Sequence, residues 1–359
     1  MMYSPFRHVG SVFRKNRVIH LTFFVTRRCN LRCPFCFSLS GKDSTAAADE
    51  LSLTEVGRVS RSLGTLLWLA FSGGEIFLRD DLVEIAGIFY RNNRPAIMLF
   101  PTNGMLPEVI RERTEDILRR CSKSVVVVKI SLDGPEGIHD KLRGRKGAFE
   151  KTLTTYHLLG DLVQKYPHFE LGINTVFCSE NQDLMDETID LVARMKNVKT
   201  HTISMVRGHP AEQGFRRVDT GKYHAAVERL ERNLKNRTSP TYRFRGARIK
   251  AAQDIVQRRL IHRTAAERRR LIPCYAGRLN LVLTETGDVY PCEILAETFG
   301  NVREHDYDVG SVIRSERAVK VLESIAGNCC YCTHECYFMT NILFNPRTYP
   351  LLAREYLQL

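Results

Sequence analysis

No apolar run in the 359 residues approaches the roughly 18 that a membrane span needs. The opening segment, MMYSPFRHVGSVFRKNR, is basic but has no continuous apolar stretch, which argues against a secretory signal. Neither proline nor glycine is in excess. With 43% hydrophobic and 26% charged residues, the composition excludes a disordered or fibrous chain and suits a packed enzyme. Nothing resembles a nucleic-acid-binding motif, and aromatic residues do not interleave with basic ones as base stacking requires. The simplest expected location is the cytoplasm. In that reducing setting eleven cysteines point to metal ligation rather than disulfides.

Three of those cysteines fall within eight residues: Cys29, Cys33 and Cys36, in CNLRCPFC. Their spacing is C-x3-C-x2-C, directly after the apolar stretch 18–25. That stretch reads as a strand, so the thiols sit on the loop leaving it. Three thiolates can hold a metal centre and leave a coordination position open, whereas a closed structural site normally takes four ligands.

The formal net charge of +13 is uneven. Residues 207–272 hold 18 Lys or Arg against 6 Asp or Glu, and so carry +12 of it. Such a window is either a solvated helical face or an electropositive surface for an acidic or phosphorylated partner.

The first 206 residues alternate strand and helix. Strands are predicted at 18–25, 66–71, 96–101, 125–131, 170–177 and 199–205. Helices are predicted between them, at 52–62 behind the capping sequence SLTE and at 81–92, 107–121, 148–165 and 181–195. Residues 125–128 are all valine, which suits a strand buried on both faces. Six such units predict the α/β class, as a partial (β/α)6 TIM-type barrel with its site at the C-terminal strand ends. Beyond residue 206 the alternation stops. A basic helical connector is expected over 207–272, then a small cysteine-rich α+β extension over 273–359. A hairpin is predicted there at 278–284 and 288–290, and a helix at 309–325.

Polar and glycine residues recur at the same end of each predicted strand. Ser72-Gly73-Gly74-Glu75 follows the second, Thr102-Asn103-Gly104 the third and Leu132-Asp133-Gly134 the fourth. Asn174 lies in the fifth, and Arg207 follows the sixth. Any one of these is a weak signal; together, at one end of one sheet, they are a strong one. CNLRCPFC, SGGE, PTNG and SLDG together resemble the radical S-adenosylmethionine (radical SAM) superfamily over roughly residues 18–210.

The resemblance implies a [4Fe–4S] cluster on Cys29, Cys33 and Cys36, with SAM chelating the fourth iron. Gly73, Gly74 and Glu75 would hold the SAM amino group, with Asn103 hydrogen-bonding beside them. Ser131 and Asp133 would lie near its ribose and methionine parts. Reduction of the cluster would then cleave SAM and give a 5′-deoxyadenosyl radical. Asn174 and Arg207 complete the expected cofactor-side residues, Arg207 as an anionic anchor, and Arg143 is a further candidate for a carboxylate. An electron donor such as flavodoxin or ferredoxin is implied as partner.

The tail holds Cys274, Cys292, Cys329, Cys330, Cys332 and Cys336. Its C-x12-G-x4-C pattern, followed by closely spaced cysteines, resembles the SPASM/Twitch extension of radical SAM enzymes. That implies one auxiliary [4Fe–4S] cluster, on Cys274, Cys292, Cys332 and Cys336, with Cys329 or Cys330 able to replace one of them. A structural zinc site fits the same residues. Cys121 and Cys178 read as core residues.

Two substrate classes compete. One is a ribosomally made peptide, which the basic window could attract. The other is a small molecule such as a sugar or alcohol. Roughly 17 residues precede the first strand, leaving no room there for a leader-binding domain. A non-catalytic metal-containing nucleic-acid-binding module is the remote alternative.

Overall fold

The computed structural model describes residues 2–37, 49–208, 210, 212–327 and 330–359. Nine strands form one sheet: β1 (His20–Thr26), β2 (Trp68–Gly73), β3 (Ile97–Thr102), β4 (Val125–Ser131), β5 (Phe169–Phe177), β6 (Thr200–Met205), β7 (Asn280–Leu283), β8 (Asp288–Tyr290) and β9 (Gly300–Asn301). Their order is β6-β5-β4-β3-β2-β1-β7-β8-β9. Strands β1 to β6 are parallel and adjacent in sequence order, as repeated βα crossovers require. This is the partial barrel expected from the sequence.

Helices follow the strands: α1 (Leu53–Ser62), α2 (Leu82–Asn93), α3 (Pro107–Arg120), α4 (Glu136–Arg143), α5 (Ala148–Lys165) and α6 (Met185–Ala193). Beyond β6 come α7 (Thr220–Lys235), α8 (Ala247–Glu267), α9 (Val309–Ile313), α10 (Glu316–Ala326), α11 (Glu335–Leu343) and α12 (Tyr349–Gln358). The single helix expected over 309–325 is two, because Ser315 caps a new one by accepting from Ala318 N.

Strand parity sorts the two faces of the sheet. Phe23, Phe71, Phe100, Val126 and Val128 pack outward in the main core. The residues between them face inward. Ile97, Val125 and Val127 meet Leu343 and Phe344 from the end of α11, which plug the lower part of the barrel. Toward the C-terminal strand ends the inward side chains turn polar. The hairpin of the cysteine-rich extension joins the barrel itself, since β7 pairs in parallel with β1 and then turns back into β8.

Candidate metal centre and cofactor site

The loop leaving β1 is seated by the loop leaving β2. The pairing of these strands slips between Phe24 and Thr26. Gly73 adopts φ +125° there. A Cβ on it would run into the Thr26 carbonyl oxygen, and one on Gly74 into that of Arg28. Only glycine allows the two loops to close on each other in this way. Gly74 N donates to Thr26 O at 2.8 Å, and Glu75 N to Arg28 O at 2.9 Å.

Cys29, Cys33 and Cys36 are all half-buried on that loop. Cys36 N donates to Cys33 O at 3.0 Å, turning the chain between the second and third thiols. Each thiol lies within electrostatic reach of the others. Burial pushes the Cys29 thiol up to about 11, and burial also raises Cys33 against the pull of Arg143. These are protonated, soft ligands that a metal would deprotonate on binding. Asn103 Nδ2 lies 3.8 Å from Cys29 Sγ, and Arg143 Nη1 lies 3.8 Å from Cys33 Sγ. The donor set therefore suits a thiolate-held cluster with hydrogen bonds already aimed at its sulfurs.

Glu75 is 1% exposed and does not project into open space. Its carboxylate accepts from Thr102 Oγ1 (2.9 Å), Asn103 N (2.7 Å) and Phe77 N (3.3 Å), which lashes the β2 and β3 loops together. Burial raises its pKa to about 7 against those hydrogen bonds. Asp133 is likewise fully committed. Oδ1 accepts from Val176 N at 2.9 Å, and Oδ2 pairs with Arg143 Nη2 at 2.6 Å. His139, held neutral by burial, accepts from Asp133 N through Nδ1 at 3.1 Å. Asn181 Nδ2 donates to Asp133 O at 2.8 Å.

Ser131 and Asn174 lie directly opposite one another in the β4–β5 register, and Asn174 Oδ1 accepts from Ser204 Oγ at 3.0 Å. Arg207 faces acidic partners from the tail, Glu335 at 3.2 Å and Glu293 at 3.6 Å. It joins barrel to extension.

Cys332 has Cys274, Cys292 and Cys330 as electrostatic neighbours, and burial pushes its thiol up to about 12. Cys292 is raised to about 11 by burial. Cys336 lies beside His334 and His20. Against the cost of burial, they bring its thiol down to about 6. His334 Nε2 in turn meets Glu293 at 2.8 Å. Cys329 lies outside the described residues. Among those described, no three His, Cys, Asp or Glu side chains already stand as a finished metal site. Cys121 and Cys178 are fully buried.

Sequence patterns single out neither Asn181 nor Lys129. For Lys129 there was a signal: one charge in an otherwise apolar strand, two residues before Ser131.

Thiols gathered at the open end of a parallel βα sheet mark an iron–sulfur class of enzyme, and sequence likeness says which. Residues 23–192, from within β1 almost to the end of α6, match the radical SAM superfamily. That stretch is a radical SAM domain, and the superfamily's cofactors are a [4Fe–4S] cluster and SAM. It is 27% identical over 326 residues to an AdoMet-dependent heme synthase of Methanosarcina barkeri, covering 87% of both chains. It is 27% identical over 298 residues to the antilisterial bacteriocin subtilosin biosynthesis protein AlbA of Bacillus subtilis. That match covers 81% of this chain and 58% of AlbA; the sporulation killing factor maturation protein SkfB is matched over 48% of its length. The chain thus spans about half the length of these two relatives. In fold it resembles Streptococcus suis SuiB bound to S-adenosylmethionine, with TM-score 0.63 and 15% identity, over 89% of this chain and 71% of SuiB. It also resembles anSMEcpe with bound AdoMet, with TM-score 0.59 and 17% identity, over 94% and 96%. Among the described residues no helix is long and apolar enough to cross a membrane.

Proposed function

We propose that this protein is a radical SAM enzyme that abstracts hydrogen from a substrate held in the barrel, with a second iron–sulfur cluster in the tail. The observation that carries this reading is the electrostatic proximity of Cys29, Cys33 and Cys36 on the loop that the Gly73–Gly74 turn closes against. When bound, the reduced cluster and SAM supply the hydrogen-abstracting chemistry. The chain's own residues do the rest. The three thiols hold the iron, and Asn103 and Arg143 place hydrogen bonds and positive charge at its sulfurs. The backbone of Gly73, Gly74 and Glu75 takes the SAM amino group, while the buried Glu75 carboxylate fixes the loop that carries it. Ser131 and Asn174 face the inward side and offer polar contacts, and the apolar plug below keeps bulk water out.

For the auxiliary cluster, the electrostatic proximity of Cys274, Cys292 and Cys330 to Cys332 supports Cys330 as the replacement for Cys336, whose thiol interacts with His20 and His334. The substrate reading favoured here is a ribosomally made peptide, supported by the likeness to AlbA and SkfB, named for bacteriocin biosynthesis and killing-factor maturation. A small-molecule substrate is the second reading. Its support is the heme synthase likeness, which covers 87% of both chains where the AlbA match covers 58% of AlbA.

The test is anaerobic reconstitution with iron and sulfide, reduction, and addition of SAM. Wild type is expected to form 5′-deoxyadenosine, and the variant with Cys29, Cys33 and Cys36 all changed to Ala none. Product from that variant would refute the assignment.

A further inference from the structure

Lys129 is a cation in the barrel interior that, among the described residues, pairs with no carboxylate. It lies on β4, two residues before Ser131, with inward parity. Its stem crosses β5 because position 172 is glycine. A Cβ there would meet Thr200 Oγ1 at 2.6 Å and Lys129 Cγ at 3.4 Å. The ammonium group donates to Thr202 Oγ1 on β6, and among the described residues it forms no ion pair.

The other cations of this interior are all matched: Arg79 with Asp81, Arg143 with Asp133, and Arg207 with Glu293 and Glu335. The carboxylates nearest Lys129 are claimed elsewhere, Asp254 by Lys250 and Glu335 by Arg207, and the Cys336 thiol, also within electrostatic reach, lies beside His334 and His20. Neutral hydrogen-bonding groups surround it. Ser131, Asn174 and Thr202 fall in one row across β4, β5 and β6, and Ser204 adjoins. The space is open, since the inward residues Leu99, Lys129, Ser131, Asn174 and Thr202 all keep partial exposure.

Resting on the reading of the barrel interior as the substrate space, we infer that Lys129, with Thr202, Asn174 and Ser204, forms a subsite for a carboxylate group of the substrate. An ammonium ion half-removed from water gains most from an anion that enters beside it. Burial, with Lys250 nearby, already lowers its pKa to about 8, so an arriving carboxylate relieves an existing cost. The hydroxyl and amide groups of the row can each donate to a carboxylate, and the donor-only ammonium favours the anion over a neutral amide. The carboxylate could belong to an acidic peptide side chain or to a small organic acid.

The test is saturation-transfer NMR on the full-length reconstituted protein with SAM and no reductant. Glutarate is compared with glutaramide, and acetyl-Ala-Glu-Ala-amide with its glutamine counterpart. Wild type is expected to bind at least one acid about tenfold or more tightly than its amide, and which pair shows the preference identifies the source. Lys129→Met is expected to erase the preference and Lys129→Arg to keep part of it. Lys129→Gln repeats the comparison if the methionine variant does not fold. Equal binding of acid and amide by wild type, no binding of either acid, or a preference that survives loss of the charge would overturn the proposal. Binding is read without turnover, so its failure leaves SAM cleavage untouched, and the reverse holds.

Discussion

Arg143 shows how closely charge is managed around the thiols. It is 7% exposed, bonded to Asp133 at 2.6 Å and within reach of Cys33 Sγ. Removing either member of such a pair strands a buried charge, at about 3–5 kcal/mol. In the tail the same scale of detail separates Cys330 from Cys336. In the background lacking Cys29, Cys33 and Cys36, Cys330→Ser is expected to lower retained iron well below about four per chain. Cys336→Ser is expected to leave it near that value. The opposite pattern, read by metal analysis, would move the ligand role to Cys336. The C-x3-C-x2-C triad was legible because its spacing is local. The contact of Cys336 with His20 was not legible, because His20 is more than three hundred residues away in the chain. Lys129 became legible only once the β4–β5–β6 register placed it opposite a glycine.

At the scale of elements, α1 shows what sequence could say and what it could not. The SLTE signature gave the capping box, and Ser52 and Glu55 form it reciprocally. Glu55 also accepts from Arg303 at 2.8 Å and from Tyr307 Oη at 2.9 Å, binding α1 to the segment after β9. No local pattern announces a contact across that distance. The Arg303 hydrogen bond, then the capping ones, hold the Glu55 carboxyl down at about 2. A depressed carboxyl pKa adds stability that is present above the unfolded value, near 4.5, and is lost as pH falls toward 2. Glu55→Ala is therefore expected to cost about 1–2 kcal/mol at neutral pH. In urea unfolding its deficit should shrink steadily below pH 4.5. A deficit equal at pH 2.5 and pH 7 would contradict this origin. The alternating strands were legible because parallel strands read as short apolar runs. The split at Ser315 was not, since apolar residues continue on both sides of it.

For the whole molecule, several side chains of the basic window pair with acids of the fold, while the net charge of +13 stands. Arg229 pairs with Asp186 and Asp190, Arg259 and Lys235 with Glu231 and Glu355, and Arg263 and Arg269 with Glu267. Much of the basic window is thus a solvated, partnered helical face. What the fold presents instead is a sheet whose polar C-terminal end carries the thiols, with the extension joined to its first strand through β7. The central claim is that Cys29, Cys33 and Cys36 hold a cluster to which SAM binds directly. Low-temperature EPR of the reduced, reconstituted protein tests this, recorded with and without SAM. The predicted result is a [4Fe–4S] signal that changes shape when SAM is added, in wild type but not in the triple alanine variant. A spectrum indifferent to SAM, or a SAM-dependent change that persists without those three cysteines, would contradict the account.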